Sequence, residues 1–69
     1  MKNSLRVARA EQRMTQQELA ERCGVSRQTI NAIEAGKFIP STLLALKIAH
    51  TFSKPIEALF ELEAEDWKE

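Results

Sequence analysis

Apolar side chains recur three and four positions apart along most of this chain, which is the spacing of residues on one face of an α-helix. The repeats are interrupted by residues that favour turns and helix ends, at Thr15, Gly24, Ser26, Gly36, Pro40, Ser41, Ser53 and Pro55. The pattern predicts five short helices in one domain that spans residues 1–69. We therefore expect an all-α fold.

Thr15 separates the first two predicted helices. The first helix runs from about Ser4 to Arg13, with Leu5 and Ala8 on its apolar face. The second begins at Thr15 and ends near Arg22, because Thr15 and Glu18 have the spacing of a capping box. In a capping box each side chain accepts a hydrogen bond from the backbone N–H of the other residue.

A tight turn should join the second helix to the third. Gly24 suits the turn because glycine adopts a left-handed backbone at little cost, and Ser26 can cap a third helix that ends at Gly36. Between Gln16 and Ala35, a small residue and five apolar ones stand where two steeply crossing helices pack together: Ala20, Leu19, Cys23, Val25, Ile30 and Ile33. Residues 16–35 are therefore predicted to form a helix-turn-helix.

Two further helices and a tail are predicted beyond Gly36. Ser41 can cap a fourth helix of about Thr42 to Phe52, with an apolar stripe of Leu44, Ala45, Ile48, Ala49 and Phe52. Ser53, with Pro55 in the first turn, opens a fifth helix that contains Ile56, Leu59 and Phe60. The tail alternates at Phe60, Leu62 and Ala64, so it either pairs as a short strand with residues near Lys2 or frays.

Composition limits the classes of function. One cysteine, Cys23, and one histidine, His50, provide neither a disulfide nor a zinc site, and no nucleophile with a base, so we expect no cofactor, no metal and no enzymatic activity. No segment has the length of a membrane span or of a signal peptide, which favours a cytoplasmic protein without a membrane partner. Nor is a small-molecule ligand evident, because no sensing domain accompanies the predicted motif.

The charge balance is neutral overall but asymmetric along the chain. Residues 1–38 carry seven basic and four acidic side chains, a net charge of +3, whereas residues 39–69 have a net charge of −3. A basic half can face the phosphates of a nucleic acid while the acidic half faces away. Charge alone favours this interpretation no more than ordinary solvated helix faces.

The segment TQQELAERCGVSRQTINAIEAGKFIPS resembles the helix-turn-helix of the phage repressor and Cro-type family, also called the XRE family. The resemblance covers about residues 4–62 and is closest to very short dimeric repressors of the enterococcal cytolysin-repressor type, in which VSRQTIN, Pro40–Ser41 and ALKIA recur. It implies a five-helix lambda-repressor-like domain, a homodimer and an operator of two inverted half-sites. Ile39 departs from these relatives, which often have a polar residue there, so no operator sequence is implied.

The polar residues of the third helix have the chemistry of base recognition. Arg27 can make a bidentate pair with guanine, and Gln28 and Asn31 can do the same with adenine. We expect these three residues to contact bases in the major groove. The alternative is that they are ordinary solvated side chains of the helix surface.

A second set of residues is expected to hold the DNA backbone. Gln16 begins the second helix, where exposed N–H groups and its amide could bind a phosphate, as a glutamine does in similar repressors. The other expected contacts are Ser26, Thr29, Lys37 and Arg13. Arg9 and Glu34 resemble a pair that forms a salt bridge between the first and third helices of related repressors, so we expect them to have a structural role.

The C-terminal part, residues 53–69, has more apolar side chains than one small core needs. This favours a dimer interface formed by Ile56, Leu59, Phe60 and Leu62, with Trp67 as a weaker candidate. We therefore expect a sequence-specific double-stranded DNA-binding regulator, acting as a homodimeric repressor. The alternative is an antitoxin that represses its own operon, but antitoxins generally need an added segment to cover the toxin, and only about seven residues follow Leu62.

Overall fold

Four α-helices and a two-stranded sheet make up the computed structural model, which describes residues 1–68. The elements in chain order are β1 (Lys2–Asn3), α1 (Leu5–Glu11), α2 (Gln16–Cys23), α3 (Arg27–Glu34), α4 (Thr42–Phe52) and β2 (Phe60–Glu61). Two short 3-10 turns, Ile56–Ala58 and Ala64–Trp67, flank β2. The prediction of a mainly helical domain is confirmed.

Local side-chain chemistry starts three of the helices where the sequence predicted. Thr15 and Glu18 form the capping box of α2, with both reciprocal hydrogen bonds present. Ser26 accepts a hydrogen bond from the Thr29 N–H at the start of α3, and Ser41 accepts one from the Leu44 N–H at the start of α4. Each cap satisfies a backbone donor that the helix itself leaves without a partner.

The predicted fifth helix is wrong, because only the single 3-10 turn Ile56–Ala58 lies in that segment. Ser53 does not open a helix; it ends α4 in a left-handed conformation, with φ of 54°. Pro55 then has an extended backbone and precedes the turn. By Phe60 the chain has already entered β2, which leaves too few residues for a further α-helix.

The terminal segments pair with each other, so the tail does not fray at β2. Lys2 lies opposite Glu61 and Asn3 opposite Phe60 in an antiparallel ladder. The Ser4 N–H extends this pairing by donating to the Leu59 carbonyl at 2.9 Å. Two carboxylates that follow β2, those of Glu63 and Asp66, each form an ion pair of 3.1 Å with the Met1 amino group. These contacts raise the pKa of that amino group.

The core lies where the four helices meet and is formed by the predicted apolar stripes. All of the α4 stripe and both residues of the predicted apolar face of α1, Leu5 and Ala8, are buried, as are Leu19, Ala20, Cys23, Ile30 and Ile33 of the helix-turn-helix. Val25, which was predicted to be buried with them, is half-buried and packs against the core. These buried residues fix which faces of α2 and α3 point into the core. The opposite faces of both helices are turned toward solvent.

Leu59 also belongs to this core, with only 2% of its surface exposed. Its side chain therefore packs inside the domain and adds almost nothing to the exposed apolar surface from which the sequence predicted a dimer interface. Ile56 and Phe60 are half-buried against the core, whereas Leu62 is exposed. The exposed apolar surface at this end of the molecule is therefore smaller than the sequence suggested, because Leu59, one of the four residues predicted to form it, is buried in the core.

Candidate nucleic-acid interface

A left-handed glycine turn connects α2 to α3. Gly24 has a φ of 71°, which side chains other than glycine rarely adopt, and it ends α2. Two residues later Ser26 begins α3. The turn lets the two helices pack directly against each other, with Ala20 fully buried at the contact.

The three residues predicted to contact bases share the exposed face of α3. Arg27, Gln28 and Asn31 are all exposed, whereas Ile30 and Ile33 face the core. At about 100° per residue, the exposed three lie within an arc of about 100° on the helix. The structure therefore presents a guanidinium and two amides together to solvent.

A bidentate ion pair anchors Glu34, the last residue of α3, to α1. The Arg9 Nε and Nη2 atoms donate to the two Glu34 carboxylate oxygens at 2.6 and 2.9 Å. The Arg9 Nη1 atom also donates to the Met14 carbonyl at 3.0 Å, so the guanidinium binds the loop after α1 as well. Only 1% of the Glu34 side chain and 15% of the Arg9 side chain are exposed. This pair has the structural position that the resemblance implied.

Opposing effects set the pKa of the Glu34 carboxyl. Burial raises it most, but hydrogen bonds from Arg9 and Gln16, together with the charges of Arg9 and Arg6, outweigh burial and leave the pKa below its ordinary value of 4.5. The hydrogen bonds to Glu34 in turn raise the pKa of Arg9. Both groups are therefore charged at neutral pH, as an ion pair requires.

The side-chain amide of Gln16 forms hydrogen bonds inside the protein, a role that the sequence did not predict. Its Nε2 atom donates to Asn31 Oδ1 at 3.3 Å and to Glu34 Oε1 at 3.1 Å. Both amide protons are thus used to join the start of α2 to α3. A phosphate contact by this amide would have to replace the longer bond to Asn31, whereas the backbone N–H groups at the start of α2 need no such exchange.

Ser26 and Thr29 form a pair of hydroxyls at the start of α3. Their oxygens lie 3.0 Å apart, and Ser26 Oγ also accepts from the Thr29 N–H at 3.2 Å. Whichever hydroxyl donates to the other, the second keeps a proton that points to no protein acceptor within this pair. One of the two can therefore still donate to a phosphate.

The basic residues predicted to hold phosphate are exposed. Lys37 follows α3, and its backbone N–H closes the helix end by donating to the Ala32 carbonyl at 2.9 Å. Arg13 lies in the loop before α2 with a left-handed backbone, φ 52°. Arg6 reaches 3.8 Å from Glu34 Oε1 but is 75% exposed, so it adds positive potential beside α3.

The chain as a whole is similar to known proteins. A family model described as helix-turn-helix matches residues 5–59, which is most of the chain. This chain belongs to the helix-turn-helix family. Within the described residues 1–68, no helix is long and apolar enough to cross a membrane.

Helix-turn-helix relatives span nearly the whole chain. An uncharacterized HTH-type transcriptional regulator of Methanocaldococcus jannaschii is 52% identical over 66 residues, which are 96% of this chain and 100% of that protein. The uncharacterized HTH-type transcriptional regulator YgzD of Bacillus subtilis is 48% identical with the same coverage of both proteins. In both relatives the match spans the whole of that protein and nearly the whole of this chain.

A solved structure of a gene regulator shares the fold. The clp gene regulator ClgR of Corynebacterium glutamicum superposes with a TM-score of 0.72 at 31% identity. The match covers 75% of this chain and 55% of ClgR, so the chain spans about half the length of that protein. The similarity therefore concerns that half of ClgR.

Proposed function

We propose that this chain is a sequence-specific DNA-binding transcriptional repressor that acts as a homodimer on an inverted-repeat operator. Its family is one of HTH-type transcriptional regulators and not of enzymes, which supports the DNA-binding part of the proposal. The observation that carries it is the exposed face of α3, where Arg27, Gln28 and Asn31 stand together on a helix held by a buried ion pair.

The proposed reading mode places α3 in the major groove. Gln28 and Arg27 make no side-chain hydrogen bonds within residues 1–68, so both can bind a base without losing a protein partner. Asn31 keeps its amide protons and one oxygen lone pair beside the bond from Gln16. Each bidentate pair with guanine or adenine contributes about 1–3 kcal/mol of discrimination.

The proposed phosphate contacts surround this face. Lys37 and Arg13 provide charge, and one hydroxyl of the Ser26 and Thr29 pair provides a donor at the start of α3. Gln16 contributes chiefly by positioning α2 against α3. These contacts carry affinity and orientation, while the three side chains on α3 carry sequence preference.

The proposed dimer uses the apolar surface beside the terminal sheet. Ile56, Phe60 and Leu62 remain there after Leu59 is withdrawn into the core, and Trp67 adds a further exposed aromatic side chain. A two-fold axis through this surface would place two copies of α3 on one face of the DNA. We place the protein in the cytoplasm, in contact with its operator.

Selection of bound DNA from a random pool tests the proposal as a whole. We expect an inverted repeat whose half-site centres lie about 10 base pairs apart, because one turn of B-DNA separates two recognition helices of such a dimer. Inserting about 5 base pairs between the half-sites should abolish dimer binding, since it moves one half-site to the opposite face. Selection of no common sequence would overturn the proposal.

A reporter experiment separates repression from activation. A promoter that overlaps the selected operator should lose transcription when the protein is expressed, because the bound dimer occupies the DNA that the polymerase needs. The matched control is a promoter with a scrambled half-site. Increased transcription from the intact operator would contradict the repressor role and leave the DNA-binding part of the proposal standing.

A further inference from the structure

Asn3 is the one residue of β1 whose side chain reaches the helix-turn-helix. Its Nδ2 atom donates to the Ile33 carbonyl in the last turn of α3 at 2.8 Å. Its Oδ1 atom accepts from the Leu5 N–H at the start of α1 at 3.3 Å. One partner is an acceptor and the other a donor, so only this orientation of the amide satisfies both.

The backbone of the same residue belongs to the terminal sheet. Asn3 lies opposite Phe60 in the β1–β2 ladder, and Phe60 is part of the proposed dimer surface. A direct path of two contacts therefore leads from that surface to α3, through the Phe60–Asn3 pair and the Asn3–Ile33 hydrogen bond. The end of α3 bears no other side-chain bond to the sheet within residues 1–68.

We infer that Asn3 is a positioning residue that fixes the angle between the recognition helix and the dimer surface, and so sets the half-site spacing that the dimer accepts. This inference rests on the proposed function. The Arg9–Glu34 pair already ties α3 to α1. It makes no bond to the terminal sheet, whereas Asn3 does, so Asn3 adds a polar connection between α3 and the segment beside the proposed two-fold axis.

Two variants separate this role from general support of the fold. Asn3→Asp has nearly the same shape and keeps an oxygen for the Leu5 N–H, but it lacks the proton that Ile33 accepts. Ser4→Ala is the matched control, because it removes a hydrogen bond of 3.1 Å from Ser4 Oγ to the Ala58 carbonyl, which joins the same terminal segments without touching α3. Asn3→Ala serves as a second variant that introduces no charge.

The first measurement uses the protein without DNA. Amide hydrogen exchange should be faster at Gly36 and Lys37 in both Asn3 variants, since the Gly36 N–H shares the Ile33 carbonyl with Asn3 and the Lys37 N–H closes the same turn. It should be unchanged there in Ser4→Ala. Equal exchange at these amides in all four proteins would overturn the inference, whatever the protein does on DNA.

The second measurement compares affinities for operators whose half-sites are at the selected spacing or one base pair farther apart. In wild-type protein and Ser4→Ala we expect the same preference for the selected spacing. In the Asn3 variants the preference should shrink by about three- to tenfold, the range that the loss of one hydrogen bond allows. An undiminished preference in the variants would overturn the inference, whereas no preference in wild-type protein would overturn the proposed dimer instead.

Discussion

Glu34 is the residue on which most of the polar structure around the recognition helix depends. Its buried carboxylate accepts hydrogen bonds from Arg9 and Gln16, which come from two different segments of the chain. Such a carboxylate is stable in a core only while it keeps these partners. The hydrogen bonds to Glu34 therefore help both to orient α3 and to stabilise the folded protein.

The stabilisation that Glu34 provides should depend on pH. Because its pKa lies below 4.5 in the folded protein, its contribution is present above that pH and is lost as the pH falls through the folded value. At pH 7 we expect Glu34→Gln to lower the free energy of unfolding by about 3 kcal/mol, the lower end for a buried pair that loses one partner. Urea unfolding should show this difference shrinking as the pH falls below 4.5.

Glu18→Gln is the control for that experiment. The pKa of Glu18 is also lowered, by hydrogen bonds with the backbone and side chain of Thr15, but its side chain is exposed. Its substitution should have a smaller effect at pH 7. A wild-type minus Glu34→Gln difference that stayed constant across the acid range would show that the charge of Glu34 does not stabilise the fold.

Substitutions of Gln28 and Lys37 should distinguish base contacts, which determine sequence preference, from phosphate contacts, which determine affinity. Gln28→Ala should relax the selected sequence at one position in each half-site, because it removes a base contact. Lys37→Ala should weaken binding to all sequences about equally and make the salt dependence shallower by about one unit, because it removes a phosphate contact. Selection and salt titration of both variants measure this. An unaltered selected sequence for Gln28→Ala would remove Gln28 from the proposed reading face.

Among the structural elements, the turn between α2 and α3 leaves the least choice of residue. Gly24 has positive φ, yet a methyl group placed on it would meet no atom within 4 Å. The requirement for glycine is therefore set by the backbone and not by space. This makes the turn a place where the cost of a left-handed residue can be measured without a steric contribution.

Gly24→Ala should lower the free energy of unfolding by about 1–2 kcal/mol, the cost of a left-handed conformation for an ordinary residue. Gly24→Asn should cost less, because asparagine tolerates this conformation better. Denaturant unfolding of the three proteins measures both effects. If alanine were as stable as glycine, the turn would have to be able to adopt another conformation at no cost.

How far the sequence predicts these elements depends on the range of the interactions that form them. The capping box at Thr15, the cap at Ser26 and the glycine turn are local, and each was predicted from a few neighbouring residues. Ser53 and Pro55 also have the chemistry of a helix start, but the pairing of β2 with the distant β1 determines that segment instead. Propensity is a weak guide where tertiary contacts compete with it.

The site was predictable to a similar extent. The outward residues of α3 follow from the helical period, since its inward residues are apolar. The bonds from Gln16 to Glu34 and from Asn3 to Ile33 join segments far apart in the chain, and neither has a periodic or spacing signal in the sequence. A polar residue beside a strand or at a helix start looks the same whether it binds solvent, DNA or another helix.

At the scale of the whole molecule, the exposed leucines make the dimer testable. Leu62 is 57% exposed beside the terminal sheet, and Leu43 is 65% exposed on α4. Leu62→Asp should convert a dimer into a monomer in sedimentation equilibrium, because it places a charge in the proposed interface. Leu43→Asp is the control, because Leu43 is similarly exposed but lies outside the proposed interface, and this variant should remain a dimer.

Both aspartate variants should remain folded, which circular dichroism can check, since neither leucine lies in the core. A dimer disrupted only by Leu43→Asp would move the interface to α4. A wild-type protein that sedimented as a monomer at micromolar concentration would remove the dimer from the proposed function and with it the expectation of an inverted repeat.

The pairing of Lys2 with Glu61 also affects how the protein is made. These residues are 59 positions apart, so their contact closes a far longer loop than any helix does, and loops of greater length are entropically costlier to close. Helices can form while the chain emerges from the ribosome, but β1 has no partner until Glu61 has been synthesised. The sheet that joins Asn3 to the C-terminal segment therefore forms only after Phe60 and Glu61 have been synthesised, much later than the residues of α3 that Asn3 also contacts.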